Sequence, residues 1–433
     1  MSQLSKWVLL KRQLTPALPA SKEQYVAPGY DCASLIADEI LSDPAANYKF
    51  LLIGARGGGK SSELRQIAEI LRPQRSLVEI DLDLSQINAV TVGADDLSYL
   101  CGVGMLQHLK KHPKAKELFS ALKSAYRSEA VDELGEMDEA LDGLVGFATS
   151  ATAAVELAGG VPTGGLLAVA TGQAIRSLIR LASQPQNLVS ETSSQGRKLI
   201  LIIEEITQIL RETEKKPICL LVDGLEKMNG ASAERLAAVF QYTRLLADLP
   251  IASVYAAPPC TLTVTNSVES VGWKAQPVWG FGEQGVPSLV DVLQRRFRAA
   301  GMDPNQTVDV KLLEEIAQQS GGMPRHAVEI CFYAAEHARR RDADTMEPAD
   351  VKAAIDQRGQ ELGRGLTEED IRILKVVLEK GSLPASDDAA RLFTDGRILA
   401  TRPGGSARDR IQRFRVHPLL VDSLRDDPDI SGT

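Results

Sequence analysis

A glycine-rich segment at residues 54–61 constrains the fold of this chain more than any other feature. It reads Gly-Ala-Arg-Gly-Gly-Gly-Lys-Ser and matches the phosphate-binding pattern G-x-x-x-x-G-K-[ST] at every position. In this pattern glycines let backbone N–H groups wrap a phosphate, the lysine reaches the β- and γ-phosphates, and the final hydroxyl ligates Mg²⁺. We therefore expect phosphate contacts from Gly54, Ala55, Arg56, Gly57, Gly58, Gly59, Lys60, Ser61 and Ser62, with Ser61 also a metal ligand.

The flanking residues favour this interpretation over a flexible glycine turn. Residues 50–53 are an apolar run of strand type, and residues 62–71 have helical periodicity through Leu64, Ile67 and Leu71. A strand, a glycine loop and a helix form the setting that the motif requires, and the helix adds the positive end of its dipole.

Three further apolar runs, at 76–84, 217–223 and 251–257, are separated by helical patterns. Alternation of strands and helices is typical of a parallel sheet. The fold class predicted is α/β: a P-loop NTPase sheet with a helical insertion, a helical lid and a small winged-helix-like C-terminal domain. We expect boundaries at 1–285, 286–362 and 363–433, an insertion at about 86–200, and an irregular stretch over residues 1–30.

The insertion contains an unusual apolar stretch. Between Gly143 and Ile175 the sole charged residue is Glu156. A membrane-touching or pore-forming hairpin is one interpretation. Each arm is shorter than a spanning helix, which favours a packed hairpin or a buried oligomer contact within 143–182.

Composition excludes several classes of function. A net charge of −8 gives no overall electrostatic case for nucleic acid. The five cysteines are widely spaced, contain no C-x-x-C pair and suggest neither a zinc site nor a disulfide framework. The apolar run at 7–10 is too short for a signal peptide, so we expect a cytoplasmic protein.

A phosphate loop needs a partner carboxylate at the end of a neighbouring strand, and Asp223 fits this role as a second metal ligand. Many ATPases place glutamate directly after this aspartate to polarise the attacking water. Here that position is Gly224, and the nearest carboxylate is Glu226. Glu226 is either the catalytic base or a solvated acid at a helix start. With Lys60 and Asp223 it completes the catalytic set, and we expect hydrolysis to be slow or dependent on assembly.

These residues resemble the AAA+ and STAND branch of P-loop ATPases. The resemblance rests on the loop 54–61, the segment 223–226, the turn 321–325 and the apparent winged helix that follows. It implies ATP and Mg²⁺ as cofactors, with Pro324 and Arg325 in a lid turn over the nucleotide. Tyr25 and Val26 would pack on adenine, unless they are merely structural.

The resemblance also implies that Arg296 acts in trans on a neighbouring subunit, the alternative being a solvated arginine cluster. Two features depart from the pattern. The fourth strand ends in Ala257-Pro258-Pro259, without the usual polar residue, for which Ser253, Thr261 and Thr263 are weak substitutes. The long apolar insertion is the second departure, and both favour a specialised switch over a motor.

Two functions follow. The first is an ATP-dependent switch that self-assembles, controls a separate effector protein, or does both. The resemblance includes antiviral NTPases, so antiviral defence is one role that it implies. The second is a DNA-binding ATPase of the origin-recognition or transposition-helper type. Its basis is the arginine-rich segment 397–415, which carries one acid, Asp409. Candidate DNA contacts there are Arg402, Arg408, Arg410 and Arg413, although a solvated hairpin or one that binds an acidic partner is the favoured interpretation.

Overall fold

The computed structural model describes residues 3–16, 19–28, 31–43, 45–81, 94–126, 194–225, 239–240, 246–259, 261, 265–401 and 413–425. The strands are β1 (Lys49–Ile53), β2 (Ser76–Asp81), β3 (Ile218–Asp223), β4 (Ala252–Ala257), β5 (Lys274–Pro277), β6 (Ile398–Thr401) and β7 (Arg413–Val416). The helices are α1 (Gln3–Gln13), α2 (Cys32–Ser42), α3 (Lys60–Leu71), α4 (Ala94–His108), α5 (Ala115–Tyr126), α6 (Ser194–Glu214), α7 (Thr265–Ser270), α8 (Val286–Ala299), α9 (Pro304–Thr307), α10 (Val310–Gln319), α11 (Pro324–Arg340), α12 (Pro348–Gly363), α13 (Glu368–Lys380), α14 (Asp387–Thr394) and α15 (Pro418–Arg425).

The chain forms two compact units. The first comprises Met1–Ala33, Gly54–Gln66 and Pro277–Thr433, and the second comprises Ser34–Ile53 and Ile67–Gln276. The first unit therefore contains the phosphate loop together with the predicted lid and C-terminal regions. The three-domain boundaries expected from the sequence stay a prediction.

A five-stranded sheet organises the second unit, with the strand order β2-β3-β4-β1-β5. β1 pairs with β4, β4 with β3, and β3 with β2, each in parallel. Every residue of β1 and of β4 is buried, as expected for parallel strands covered on both faces. The α/β fold class predicted from the sequence is confirmed by this sheet.

The four strands predicted from apolar runs are all present within the described residues, and β5 was not predicted. Residues Lys274–Pro277 have no buried member, so this edge strand lacks the apolar run that marks the others. In the insertion the structure describes α4, α5 and the start of α6, which pack together. The apolar stretch 143–182 lies outside the described residues.

A helical core in the first unit is built from α1, α8, α10, α11 and α12. The expectation that residues 1–30 are irregular is wrong, because α1 spans Gln3–Gln13. Trp7, Leu10 and Leu14 share one helical face, are buried in this core, and Trp7 Nε1 donates to the Ala343 carbonyl at 2.8 Å. The prolines at 16 and 19 lie after the helix and do not interrupt it.

The remaining C-terminal elements are α13, α14, the antiparallel β6–β7 pair and α15, in the order predicted for a winged-helix-like unit. The predicted capping box is present at the start of α13. Thr367 Oγ1 accepts from the Asp370 amide, and the Asp370 carboxylate accepts from the Thr367 amide. Gly381 ends the helix in the left-handed conformation, at φ 63°.

We predict that Trp273→Ala destabilises the sheet-containing unit by about 3–5 kcal/mol. Trp273 is 2% exposed, and its ring lies edge-on to Phe240 and Tyr255 with centroids 5.4 Å from each. Urea denaturation followed by circular dichroism measures the change in the free energy of unfolding. Leu201→Ala is the control, because Leu201 is 64% exposed and its truncation should change stability by less than about 0.5 kcal/mol. A small effect at position 273 would contradict the aromatic packing.

Candidate nucleotide site

The glycine loop leads from β1 into α3, which begins at Lys60. Gly57 and Gly59 have φ angles of 86° and 108°, a region that favours glycine. A Cβ atom at position 54 would lie 2.4 Å from the Val278 carbonyl oxygen, so Gly54 is required by the close approach of another backbone segment. The loop thus has the strand–loop–helix geometry that the sequence predicts.

Lys60 lies inside the loop and is 3% exposed. Its Nζ donates to the carbonyl oxygens of Gly54, at 2.7 Å, and Ala55, at 3.0 Å. The ammonium group is therefore already positioned over the loop. A bound phosphate would take over donors that now serve these two carbonyls.

The next two hydroxyls differ in their surroundings. Ser62 Oγ accepts a hydrogen bond from the Ala20 amide at 3.1 Å, which ties the N-terminal segment to the first turn of α3. Ser61 is half-buried at the start of the same turn. The role of Ser61 as an Mg²⁺ ligand stays a prediction.

Asp223 is the last residue of β3 and is half-buried. Its Oδ1 accepts from the Gly224 amide at 2.9 Å. Gly224 has a φ angle of 97°, so the position after the aspartate has a conformation that a glutamate rarely adopts. Glu226, the other candidate catalytic acid, lies outside the described residues.

The lid turn packs on the phosphate loop through Pro324 and Arg325, the first residues of α11. The Arg325 amide donates to the Gly57 carbonyl at 3.3 Å. A Cβ atom at position 57 would lie 2.6 Å from Arg325 Cβ, which shows how closely the two segments approach. The structure therefore brings the predicted lid arginine to the loop, and its contact with a phosphate stays a prediction.

The segment before α2 reaches the first turn of α3 through Tyr25. Tyr25 Oη donates to Glu63 Oε1 at 3.0 Å, and Arg295 Nη1 of α8 donates to the Tyr25 carbonyl at 2.6 Å. Burial raises the pKa of Glu63 to about 7, and the nearby Asp31 charge acts in the same direction. Val26 is half-buried beside Tyr25. The packing of these two residues on adenine stays a prediction.

Arg296 is buried, at 6% exposed, and its Nη1 donates to the Gln13 carbonyl. Burial lowers the pKa of its guanidinium group. A solvated arginine cluster is thus wrong for Arg296 in this structure. The trans-acting role would require this contact within the chain to break, and it stays a prediction.

The C-terminal region also contacts the loop, which sequence reasoning missed. The Arg56 amide donates to the carbonyl of Thr394, the last residue of α14, at 3.1 Å. A backbone contact between residues so distant along the chain leaves no signal in the sequence. One N–H group of the predicted phosphate cradle is therefore engaged by the C-terminal unit.

A second C-terminal contact reaches the lid turn. His326 Nδ1 and His417 Nε2 lie 2.9 Å apart, and both rings are buried. Burial lowers the pKa of both histidines, that of His417 to about 3, so the pair is neutral. Arg415 Nη2 donates to the Gly321 carbonyl at 3.0 Å. The β7 end is thereby joined to the turn that precedes α11.

The arginine-rich segment is described in part. Arg402, Arg408 and Arg410 lie outside the described residues, and Arg413 begins β7 opposite Thr401. Arg397, a further arginine of this segment, donates to the Arg364 carbonyl at 2.8 Å. The DNA contacts predicted for this segment stay a prediction.

The described residues contain neither a cluster of metal-ligating side chains nor a membrane-spanning helix. No group of three or more histidine, cysteine, aspartate and glutamate side chains is arranged to hold a metal ion there. Within the same residues, no helix combines the length and the apolar character needed to cross a membrane. Four cysteines of this part of the chain are free thiols, and all are buried: Cys32, Cys101, Cys219 and Cys331.

The residues present fit a nucleoside triphosphate with Mg²⁺. Gly57 and Gly59 have the positive φ angles that a phosphate cradle needs, and Lys60 supplies the ammonium group. Ser61 carries a hydroxyl group and Asp223 a carboxylate, which are the kinds of oxygen ligand that Mg²⁺ prefers. Their ligation of one Mg²⁺ ion stays a prediction. The metal, when bound, would neutralise charge between the β- and γ-phosphates.

Comparison with known proteins supplies no family. No protein-family model matches the chain, and no curated protein matches it. Among solved structures the chain is similar to the Orc1 protein of Aeropyrum pernix in complex with DNA, with 14% identity, coverage of 98% of this chain and 97% of that chain, and a TM-score of 0.42. It is similar to Cdc6p from Pyrobaculum aerophilum, with 14% identity, coverage of 95% and 96%, and a TM-score of 0.41. It is similar to a Walker-type ATPase of Pyrococcus abyssi, with 14% identity, coverage of 94% and 99%, and a TM-score of 0.42. Because these values are low, the fold assignment rests on the sheet order and the loop itself.

We predict that Lys60→Ala weakens ATP binding about 100-fold, because charge-assisted contacts of an ammonium group with phosphate are worth up to about 3 kcal/mol. Isothermal titration calorimetry with ATP and Mg²⁺ measures the affinity. Lys116→Ala removes an exposed lysine from α5 and should bind as the wild type does. Unchanged binding by the folded Lys60→Ala protein would contradict the assignment of the loop.

Proposed function

We propose that this chain is an ATP-binding, Mg²⁺-dependent switch ATPase that hydrolyses ATP slowly, self-assembles and controls a separate effector protein. One observation carries the proposal: the Arg56 amide of the phosphate loop donates to the Thr394 carbonyl of the C-terminal unit. A P-loop binds phosphate through its backbone N–H groups. Nucleotide and α14 therefore compete for the same donor, which couples occupancy of the loop to the position of the C-terminal unit.

The lid turn supplies a second element for such coupling. Arg325 contacts Gly57 on one side, while Gly321 accepts from Arg415 and His326 pairs with His417 on the other. A change at the loop reaches β7 through the residues of a single turn. A ligand shifts an equilibrium between two conformations only if its contacts differ between them. The Arg56 amide offers such a difference, because it can donate either to Thr394 or to a phosphate.

The slow hydrolysis in the proposal follows from the end of β3. Gly224 stands where a carboxylate residue commonly follows the metal-binding aspartate. Its φ angle of 97° disfavours any residue with a side chain at this position. General-base catalysis contributes about 10²- to 10⁴-fold to a rate, so its weakening leaves a long-lived ATP state. A long-lived state suits a switch that must persist while an effector responds.

We expect ATP with Mg²⁺ to increase both the molecular mass and the amide hydrogen exchange of residues 387–401. Light scattering and hydrogen-exchange mass spectrometry measure the two effects. The increase in exchange would reflect release of the α14 end from Arg56. Lys60→Ala is the matched variant and should show neither change. ATP binding that leaves mass and exchange unchanged would refute the switch.

We also predict that Arg415→Ala binds ATP about two- to fivefold more tightly, because loosening the C-terminal unit reduces competition for the loop. Arg415 donates to the Gly321 carbonyl, whereas the control residue Arg372 is 70% exposed on α13 and pairs with Glu369. Arg372→Ala should leave the affinity unchanged. Weaker ATP binding by Arg415→Ala would mean that this contact supports the nucleotide-bound state.

DNA binding through the arginine-rich segment 397–415 is the alternative function. Two of its arginines, Arg397 and Arg415, donate to carbonyls of this chain, which weakens the case for a free basic surface. A salt-sensitive gel shift that is lost when Arg408, Arg410 and Arg413 are replaced would favour it. The absence of a shift at low salt would leave the switch as the better proposal.

A further inference from the structure

The first turn of α3 contains a buried carboxyl group that the phosphate-binding motif does not require. Glu63 lies three residues after Lys60 and is 3% exposed. Its Oε1 accepts from Tyr25 Oη at 3.0 Å, and the backbone N–H of Ala33 also faces the carboxyl group. Its Oε2 is buried and has no hydrogen-bond partner among the described residues.

An acceptor oxygen in this situation is costly. Acidic residues are common in the first turn of a helix, where they normally remain in water. Burial of a polar atom without a hydrogen-bond partner is unfavourable, because the atom loses its bonds to water and gains none in the protein. Most buried polar atoms in folded proteins are paired, so an orphaned oxygen is a reason to look for an absent donor.

The surroundings of Glu63 are built from a strap of residues 19–28. Arg65 Nη1 donates to the carbonyls of Pro19 and Ala20 at 3.3 Å each, which fixes the strap along α3. Arg295 of α8 holds the other end through the Tyr25 carbonyl. Glu63 therefore lies between the phosphate-binding helix and a strap that is anchored at both ends.

We propose that Glu63 selects the nucleobase, with Oε2 accepting a hydrogen bond from the 6-amino group of adenine. This inference rests on the proposed ATP-binding function. α3 begins at Lys60, the last residue but one of the loop, so the base of a nucleotide bound there would have to pass close to the first turn of α3, which contains Glu63. The base would supply the donor that Oε2 lacks.

The number of acceptors favours adenine over guanine. Adenine presents one amino group beside a ring acceptor, so a single carboxyl oxygen suffices to bind its donor. Guanine presents N1–H and its 2-amino group side by side and is best matched by both oxygens of a carboxylate. At Glu63 one of the two oxygens already accepts from Tyr25.

The test compares ATP with the triphosphate of purine riboside, which lacks the 6-amino group, and with GTP. We expect the wild type to bind ATP about tenfold more tightly than the other two, since only the 6-amino group supplies a donor to the buried acceptor. Glu63→Leu should bind ATP and the purine analogue within about twofold of each other. Glu63→Gln keeps an acceptor and should restore most of the preference.

Glu69→Gln is the control, because Glu69 lies on the same helix and its side chain is 41% exposed. It should retain the wild-type preference. Equal affinity of the wild type for ATP and the purine analogue, tighter binding of GTP, or an unchanged preference in Glu63→Leu would each overturn the proposal. A wild-type ratio near one overturns the proposal without any variant, and Glu63→Gln, which keeps the shape of the side chain, tests the position if Glu63→Leu fails to fold.

The two proposals fail in different ways. A tenfold preference for ATP that is lost in Glu63→Leu, without any ATP-dependent change in mass or exchange, would refute the switch and support the role of Glu63. An ATP-dependent change in mass without a preference for ATP over the purine analogue would support the switch and refute the role of Glu63. Failure of the wild type to bind any of the three triphosphates would overturn both.

Discussion

The close approach of the lid turn to the phosphate loop is the contact on which the first unit depends. At Gly57 the loop backbone lies so near Arg325 that a single Cβ atom would be 2.6 Å from the arginine side chain. The same turn carries Gly322 at a φ angle of 82°, packed against the backbone of Gly282. Glycines on both sides permit two backbone segments to touch. The loop is thereby shaped by long-range packing as well as by its own sequence.

Three distant parts of the chain meet this loop and its helix: the strap that contains Tyr25, the lid turn and the end of α14. Each makes its contact through a backbone group or a buried polar side chain, for which geometry is strict and unpaired atoms are costly. Displacement of one contact therefore leaves a specific donor or acceptor to be satisfied elsewhere. In the function proposed above, a bound nucleotide would supply such replacements, and its binding would therefore redistribute contacts across the unit.

The sequence predicted what depends on local pattern. β1, β3 and β4 are buried runs of apolar residues, and the loop motif has a fixed spacing, so both could be recognised without a structure. The sequence did not predict β5, because this edge strand has no buried residue and therefore no apolar run. It did not predict α1 either, because the prolines that follow the helix suggested an irregular stretch. The Arg56–Thr394 contact and the orphaned oxygen of Glu63 depend on tertiary neighbours, which a single sequence does not reveal.

The backbone conformation of Gly224 supports the proposed slow hydrolysis more strongly than the absence of a carboxylate alone does. The sequence alone suggests that a glutamate could be restored at this position. With φ at 97°, however, a non-glycine residue there would be strained by about 1–3 kcal/mol, unless the strand end moved and took Asp223 with it. Asp223 also accepts the Gly224 amide, so the orientation of the predicted metal ligand depends on the same turn. The end of β3 therefore orients the Asp223 carboxylate and disfavours a second acidic residue directly after it, which agrees with the slow hydrolysis proposed above.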